Sequence, residues 1–144
     1  MKTKGSRLEQ VIKVKKLKEN RAQTELTQIR SLRKVENATL GALNKSKTSA
    51  LDAAVRTMKA RATDVQTSRA FIERLSRQIL QQESRIEGIE NREHEKREEL
   101  IQKSQARKIV EKLDEKRKDI LAKETERKEQ RLLDVLSRRN GLTS

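Results

Sequence analysis

An all-α fold is the class this sequence predicts: two long helices folded back on each other as an antiparallel coiled-coil hairpin, with both termini at one end. Three observations carry it. Of the 144 residues, 40% are Asp, Glu, Lys or Arg, while only 32% are apolar and 1% aromatic. That is too little for a thick core, because burying large apolar groups is the main force opposing chain entropy. There is no proline and there are only four glycines, so little interrupts a helix. The apolar residues also recur at helical spacing, which favours paired helices over disorder.

The first helix is expected over about residues 6–52. Ser6-Arg7-Leu8-Glu9 fits a capping box, in which the serine accepts from an early amide and the glutamate reaches back to the cap. Apolar positions follow at Leu8, Val11, Ile12, Val14, Leu17, Ala22, Leu26, Ile29, Leu32, Val35, Leu40 and Leu43. Their phase drifts between Ile12 and Ala22, where Lys15, Lys16 and Glu19 stand in places a strict heptad makes apolar. Such drift suits an irregular intramolecular pairing better than a parallel zipper.

A bend is expected somewhere in 44–64, within a single domain spanning 1–144. Residues 41–49, GALNKSKTS, concentrate Gly, Asn, Ser and Thr, which compete with helix. Thr63 or Asp64 offers a second place, capping the helix that follows. Both remain open at this level.

The second helix is expected over about 64–139. Its clearest stripe is Ile72, Leu75, Ile79, Ile86 and Ile89, beside the sole aromatic residue, Phe71. From Glu90 to Glu99 every residue is polar, and the stripe breaks. Acid-to-base pairs four apart, such as Glu93 with Arg97 and Asp114 with Lys118, each add about 0.2 to 0.5 kcal/mol there. Apolar positions resume at Leu100, and Arg138, Arg139, Asn140 and Gly141 supply a helix end.

Catalytic chemistry is missing. The sequence has no glycine-rich phosphate loop, no H-E-x-x-H and no nucleophile with a partner histidine. A two-helix seam also lacks room for the roughly 300 to 1,000 Å³ of a small-molecule pocket. His94 lies among Arg92, Glu93 and Glu95 without further ligands at metal spacing, so it reads as a solvated side chain. No enzyme activity, metal or cofactor is expected. With no cysteine, no ~20-residue apolar run and no apolar signal core, a soluble, unprocessed cytoplasmic protein is expected.

Charge points to macromolecular partners. The chain carries +14, with 17 basic and 6 acidic residues in 1–70 but 19 and 16 thereafter. The basic half calls for an acidic partner surface. A nucleic-acid-binding coiled coil is one alternative, opposed by the absence of an aromatic stacking platform and by the interleaved acids. A generic dimeric scaffold of unbent helices is another.

Three segments resemble the flagellar export protein family FliJ, with similarity to YscO-type proteins of virulence secretion systems. They are Arg7-Leu8-Glu9-Gln10-Val11-Ile12-Lys13-Val14-Lys15, Arg69-Ala70-Phe71-Ile72-Glu73-Arg74-Leu75, and Glu111-Lys112-Leu113-Asp114-Glu115-Lys116-Arg117 with its charged tail. The resemblance covers essentially the whole chain in order. It implies a non-enzymatic hairpin serving as the central stalk of the type III export ATPase. The paired terminal ends enter the hexameric ring and stimulate it, and the far part reaches the cytoplasmic domain of the export gate. Members also bind export chaperones, and the protein sits peripherally at the inner membrane through its partners, with no nucleic acid.

The resemblance also places the bend after roughly residue 50 and before Phe71. It implies gate contact through Phe71 and Leu75, with Gln78 and Gln82 next on that face as departures from the family's pattern. Ring contact falls to Arg7, Lys13, Lys15, Lys16, Lys18, Arg131, Arg138 and Arg139, on position and charge alone. For Phe71 two readings stand side by side: a seam residue near the bend, or an outward contact to the gate.

Overall fold

A chain without proline, held by helical periodicity, has few reasons to stop a helix once it has started. The computed structural model describes residues 4–56 and 61–142, of which all but Arg61 are helical. The fold class is the expected one: α1 spans Lys4–Arg56 (53 residues) and α2 spans Ala62–Leu142 (81 residues), with no strand among the described residues.

Each helix runs further than the local signals suggested. α1 begins at Lys4, so the backbone of Ser6 is already helical; the bond expected of its side chain lies outside the described residues. Residues 44–49 form no turn. The Thr48 hydroxyl donates to the Asn44 carbonyl at 2.9 Å, so a group that could compete with the helix is satisfied inside it. Within the 44–64 span expected to hold the bend, residues 57–60 lie outside the described residues; α2 starts at Ala62, and the amides of Asp64 and Val65 both donate to the Arg61 carbonyl, at 3.0 and 3.2 Å. Arg61 therefore stands at the N-cap position, where its carbonyl accepts the first bonds of α2, and Thr63 and Asp64, the expected caps, lie inside the first turn, where the Asp64 charge favours the helix dipole. Gly141 is helical rather than a positive-φ stop, and α2 continues to Leu142.

The chain packs as two compact units. One is Arg21–Leu100. Its core is Ala22, Leu26 and Ile29 from α1 with Leu75, Ile79, Ile86 and Ile89 from α2, all buried. The helices run antiparallel here, since Glu25 meets Lys96, Arg30 and Arg33 meet Glu93, and Glu36 meets Arg85. The other unit joins α1 up to Asn20 with α2 from Ile101 onward. It is antiparallel as well: Glu9 meets Lys118, Lys16 meets Glu111, and Glu19 meets Arg107. Both chain ends belong to this second unit.

Within each unit the seam positions alternate in steps of four and three. In Arg21–Leu100 they are Ala22, Leu26, Ile29, Arg33, Glu36, Leu40, Leu43, Lys47, Ala50 and Ala54, facing Ser68, Ile72, Leu75, Ile79, Gln82, Ile86, Ile89, Glu93, Lys96 and Leu100. In the terminal unit they are Leu8, Ile12, Lys15 and Glu19 with Lys103, Arg107, Val110, Asp114 and Arg117. Each of these is buried or half-buried.

The expected phase drift is therefore not real. Lys15 and Glu19 occupy seam positions themselves, whereas Val11, Val14, Leu17, Leu32 and Val35 are exposed. Nor does the stripe break at Glu90–Glu99, because Glu93 and Lys96 continue it. Long straight-chain charged residues can lie in such a seam because their stems pack while their heads reach a partner or water.

Apolar burial is concentrated in a few side chains, and Leu26, at 2% exposure, is the most completely enclosed large one. Leu26→Ala is expected to destabilise the protein by about 2 to 4 kcal/mol. Leu133→Ala, at an exposed site, should stay within about 0.5 kcal/mol of the parent. Urea unfolding followed by circular dichroism measures both.

Candidate functional site

Among the described residues no cluster of three or more His, Cys, Asp or Glu side chains could hold a metal, and His94 is exposed. What the helices do position is charge, in the seam and along the surface.

The most enclosed ionic cluster centres on Glu93, which is 2% exposed. Its carboxylate accepts from Arg33 at 2.6 Å, from Arg30 at 3.3 Å and from Arg97 at 3.2 Å. Burying a carboxylate is tolerable only with such partners. Glu36, also buried, accepts from the Gln82 amide and pairs with Arg85 at 3.4 Å. The same amide reaches the Glu36 backbone carbonyl at 3.0 Å. Lys96 bridges Glu25 and Glu99 at 2.7 and 3.0 Å, and hydrogen bonds to these two carboxylates raise its pKa.

In the terminal unit, the Arg107 guanidinium ties Glu19 across the seam to Glu111 one turn along its own helix. Hydrogen bonding to Arg107 lowers the pKa of Glu19, and the bonds to Glu19 and Glu111 raise that of Arg107. Lys118 pairs with Asp114 at 3.2 Å, and that hydrogen bond raises the lysine's pKa. The expected pairs Glu93 with Arg97 and Asp114 with Lys118 thus form, each with its acid inside the seam rather than on a solvated face.

The eight cationic residues expected to contact a ring all fall in the terminal unit. Arg7, Lys13, Lys16, Lys18, Arg131, Arg138 and Arg139 are exposed; Lys15 is half-buried in the seam. From Lys118 to Gly141 every side chain is exposed, including Ile120, Leu121, Leu132, Leu133, Val135 and Leu136.

The four expected gate contacts divide. Phe71 is 47% exposed and Gln78 is exposed, so both face solvent. Leu75 is 6% exposed and belongs to the core, and Gln82 is spent on Glu36. Phe71 is thus not a buried seam residue. The expectation that a two-helix seam lacks room for a small-molecule-sized pocket is not met: close by lies an apolar groove of about 650 Å³, lined by Leu51, Ala54, Val55, Val65, Ser68, Arg69, Ile72 and Glu73, where the helices splay far enough to leave space between them.

Sequence reasoning missed Arg33, Glu36, Glu93 and Asp114 as seam residues, although a signal existed. Steps of four and three from Ile79, Ile86 and Ile89 land on Glu93, Lys96, Leu100, Lys103, Arg107, Val110 and Asp114. Residue type hid the period.

Glu93→Ala should cost about 3 kcal/mol, since it leaves three guanidiniums without their shared anion and opens a gap. Glu93→Leu should cost less, because arginines that are a third to a half exposed can hydrate. Thermal melts of the two variants compare them. For pH the signs are opposite at the two ends. Glu19 titrates below its ordinary 4.5, so its contribution is complete above that value and is lost as pH falls through the lowered one. Lys96 and Lys118 titrate above 10.5, so theirs is complete below that value and is lost as pH rises further. A flat melting temperature between about pH 5 and 10 is expected, falling on both sides, with a shallower acid limb in Glu19→Gln.

A family model described as Flagellar FliJ protein matches residues 3–143. No curated protein and no solved structure matches the chain.

Proposed function

The chain belongs to the flagellar FliJ protein family, a component of flagellar type III export, and on that premise we propose that it is the non-enzymatic central stalk of the export ATPase. The terminal unit enters the hexameric ring and stimulates hydrolysis. The region around Phe71 contacts the cytoplasmic domain of the export gate, and export chaperones are further partners. No described helix is long and apolar enough to cross a membrane. In this reading the protein works in the cytoplasm, at the inner membrane only through its partners.

One observation carries the proposal. The terminal unit gathers both chain ends and all eight cationic candidates, and α2 beyond Arg117 offers side chains on every face. A shaft inside a ring needs that property, because its contacts come from all sides. Seven of the eight cations are exposed, so they can meet acidic groups of a ring wall and speed encounter. Lys15 contributes within the seam instead. For the gate, the exposed pair Phe71 and Gln78 makes the contact, and Leu75 and Gln82 hold the helix that presents them.

Titrating the purified protein into its cognate export ATPase is expected to raise turnover severalfold. Arg7→Glu, Arg131→Glu and Arg138→Glu combined should weaken that response by about tenfold or more while leaving helix content unchanged. An ATPase rate that stays flat across the titration with the parent protein would overturn the stalk reading.

A further inference from the structure

Both units carry ion pairs across the seam, and they differ in apolar burial. Every buried apolar side chain of the described residues lies in Arg21–Leu100, whereas the terminal unit buries a single side chain, Asp114 at 7% exposure. Across its seam the terminal unit half-buries Leu8, Ile12 and Val110 and pairs Glu19 with Arg107, Lys16 with Glu111 at 3.9 Å, and Glu9 with Lys118 at 3.8 Å. In the last two pairs the lysines are more than half exposed, so salt screens them readily.

Asp114 adds a force in the opposite direction. Its Oδ2 accepts from Lys118, but Oδ1 is buried without a hydrogen-bond partner. A buried, unsatisfied carboxylate oxygen disfavours the closed state, and separating the helices returns it to water.

We infer that the terminal unit is an ionic clasp, in which α1 up to Asn20 releases from α2 over Ile101–Lys118 while Arg21–Leu100 stays paired. Opening exposes Leu8, Ile12 and Val110. Arg21–Leu100 also carries cross-seam ion pairs, among them Arg30 and Arg33 with Glu93 and Arg85 with Glu36, but its buried apolar side chains keep it paired when salt weakens them.

Hydrogen exchange of the full chain, read by mass spectrometry at about 50 mM and about 500 mM NaCl, tests the clasp. Amides of 8–20 and 101–118 should exchange at least about fivefold faster at the higher salt, with 22–50 and 72–100 unchanged. Asp114→Leu should restore protection to the first two segments at high salt. Arg107→Ala should remove it at low salt. Equal acceleration in all four segments, no acceleration in any, or an unaltered salt response in Asp114→Leu would each overturn the clasp.

Discussion

Two helices packed side by side share one line of contact, and that line returns to each helix after alternating steps of three and four residues. The constraint acts whatever side chains occupy the line. In Arg21–Leu100 it collects Leu26, Ile29, Ile79, Ile86 and Ile89 and is held by burial. It also collects Arg33, Glu36, Glu93 and Lys96. These must be paired, because a buried charge without a partner is costly. The ion pairs thus follow from the line of contact and do not create it.

Charged seam positions also restrict register. Apolar side chains tolerate a slip of one heptad, since one isoleucine packs much like another. Glu93 does not. A slip would part it from Arg30 and Arg33 and leave a carboxylate in the seam, at about 3 to 5 kcal/mol. The buried charges thereby distinguish one pairing from others that an apolar stripe alone would leave close in energy.

A thin seam leaves most of each helix to solvent, and this relates the fold to the family's work in export. Val14, Leu17 and Val35 are exposed on α1, as are Phe71, Leu132 and Leu133 on α2. Off-seam apolar residues on a protein this rich in charge have little role in its own folding, and they suit contact with other proteins. The cations of the terminal unit lie among them, so apolar and electrostatic recognition are offered from the same surfaces.

Composition, the absence of proline and the helical spacing of the apolar residues together determined the fold class, since so few large apolar side chains can fill a thin seam between long helices but not a thick core. The stripe from Ile72 to Ile89 was legible for the same reason: its side chains are apolar where the period requires it. Helix ends were less legible. Residues 41–49 carry turn-forming types, yet a helix held by a partner absorbs a glycine and a back-bonded threonine. Residue type did not reveal which charged residues lie inside; the tertiary structure decided it, along the same steps of four and three. Glu93 and Glu98 are the same residue type in the same polar run, and one is buried while the other is exposed. Burial belongs to the position's angle toward the partner helix, and residue type carries no record of that angle.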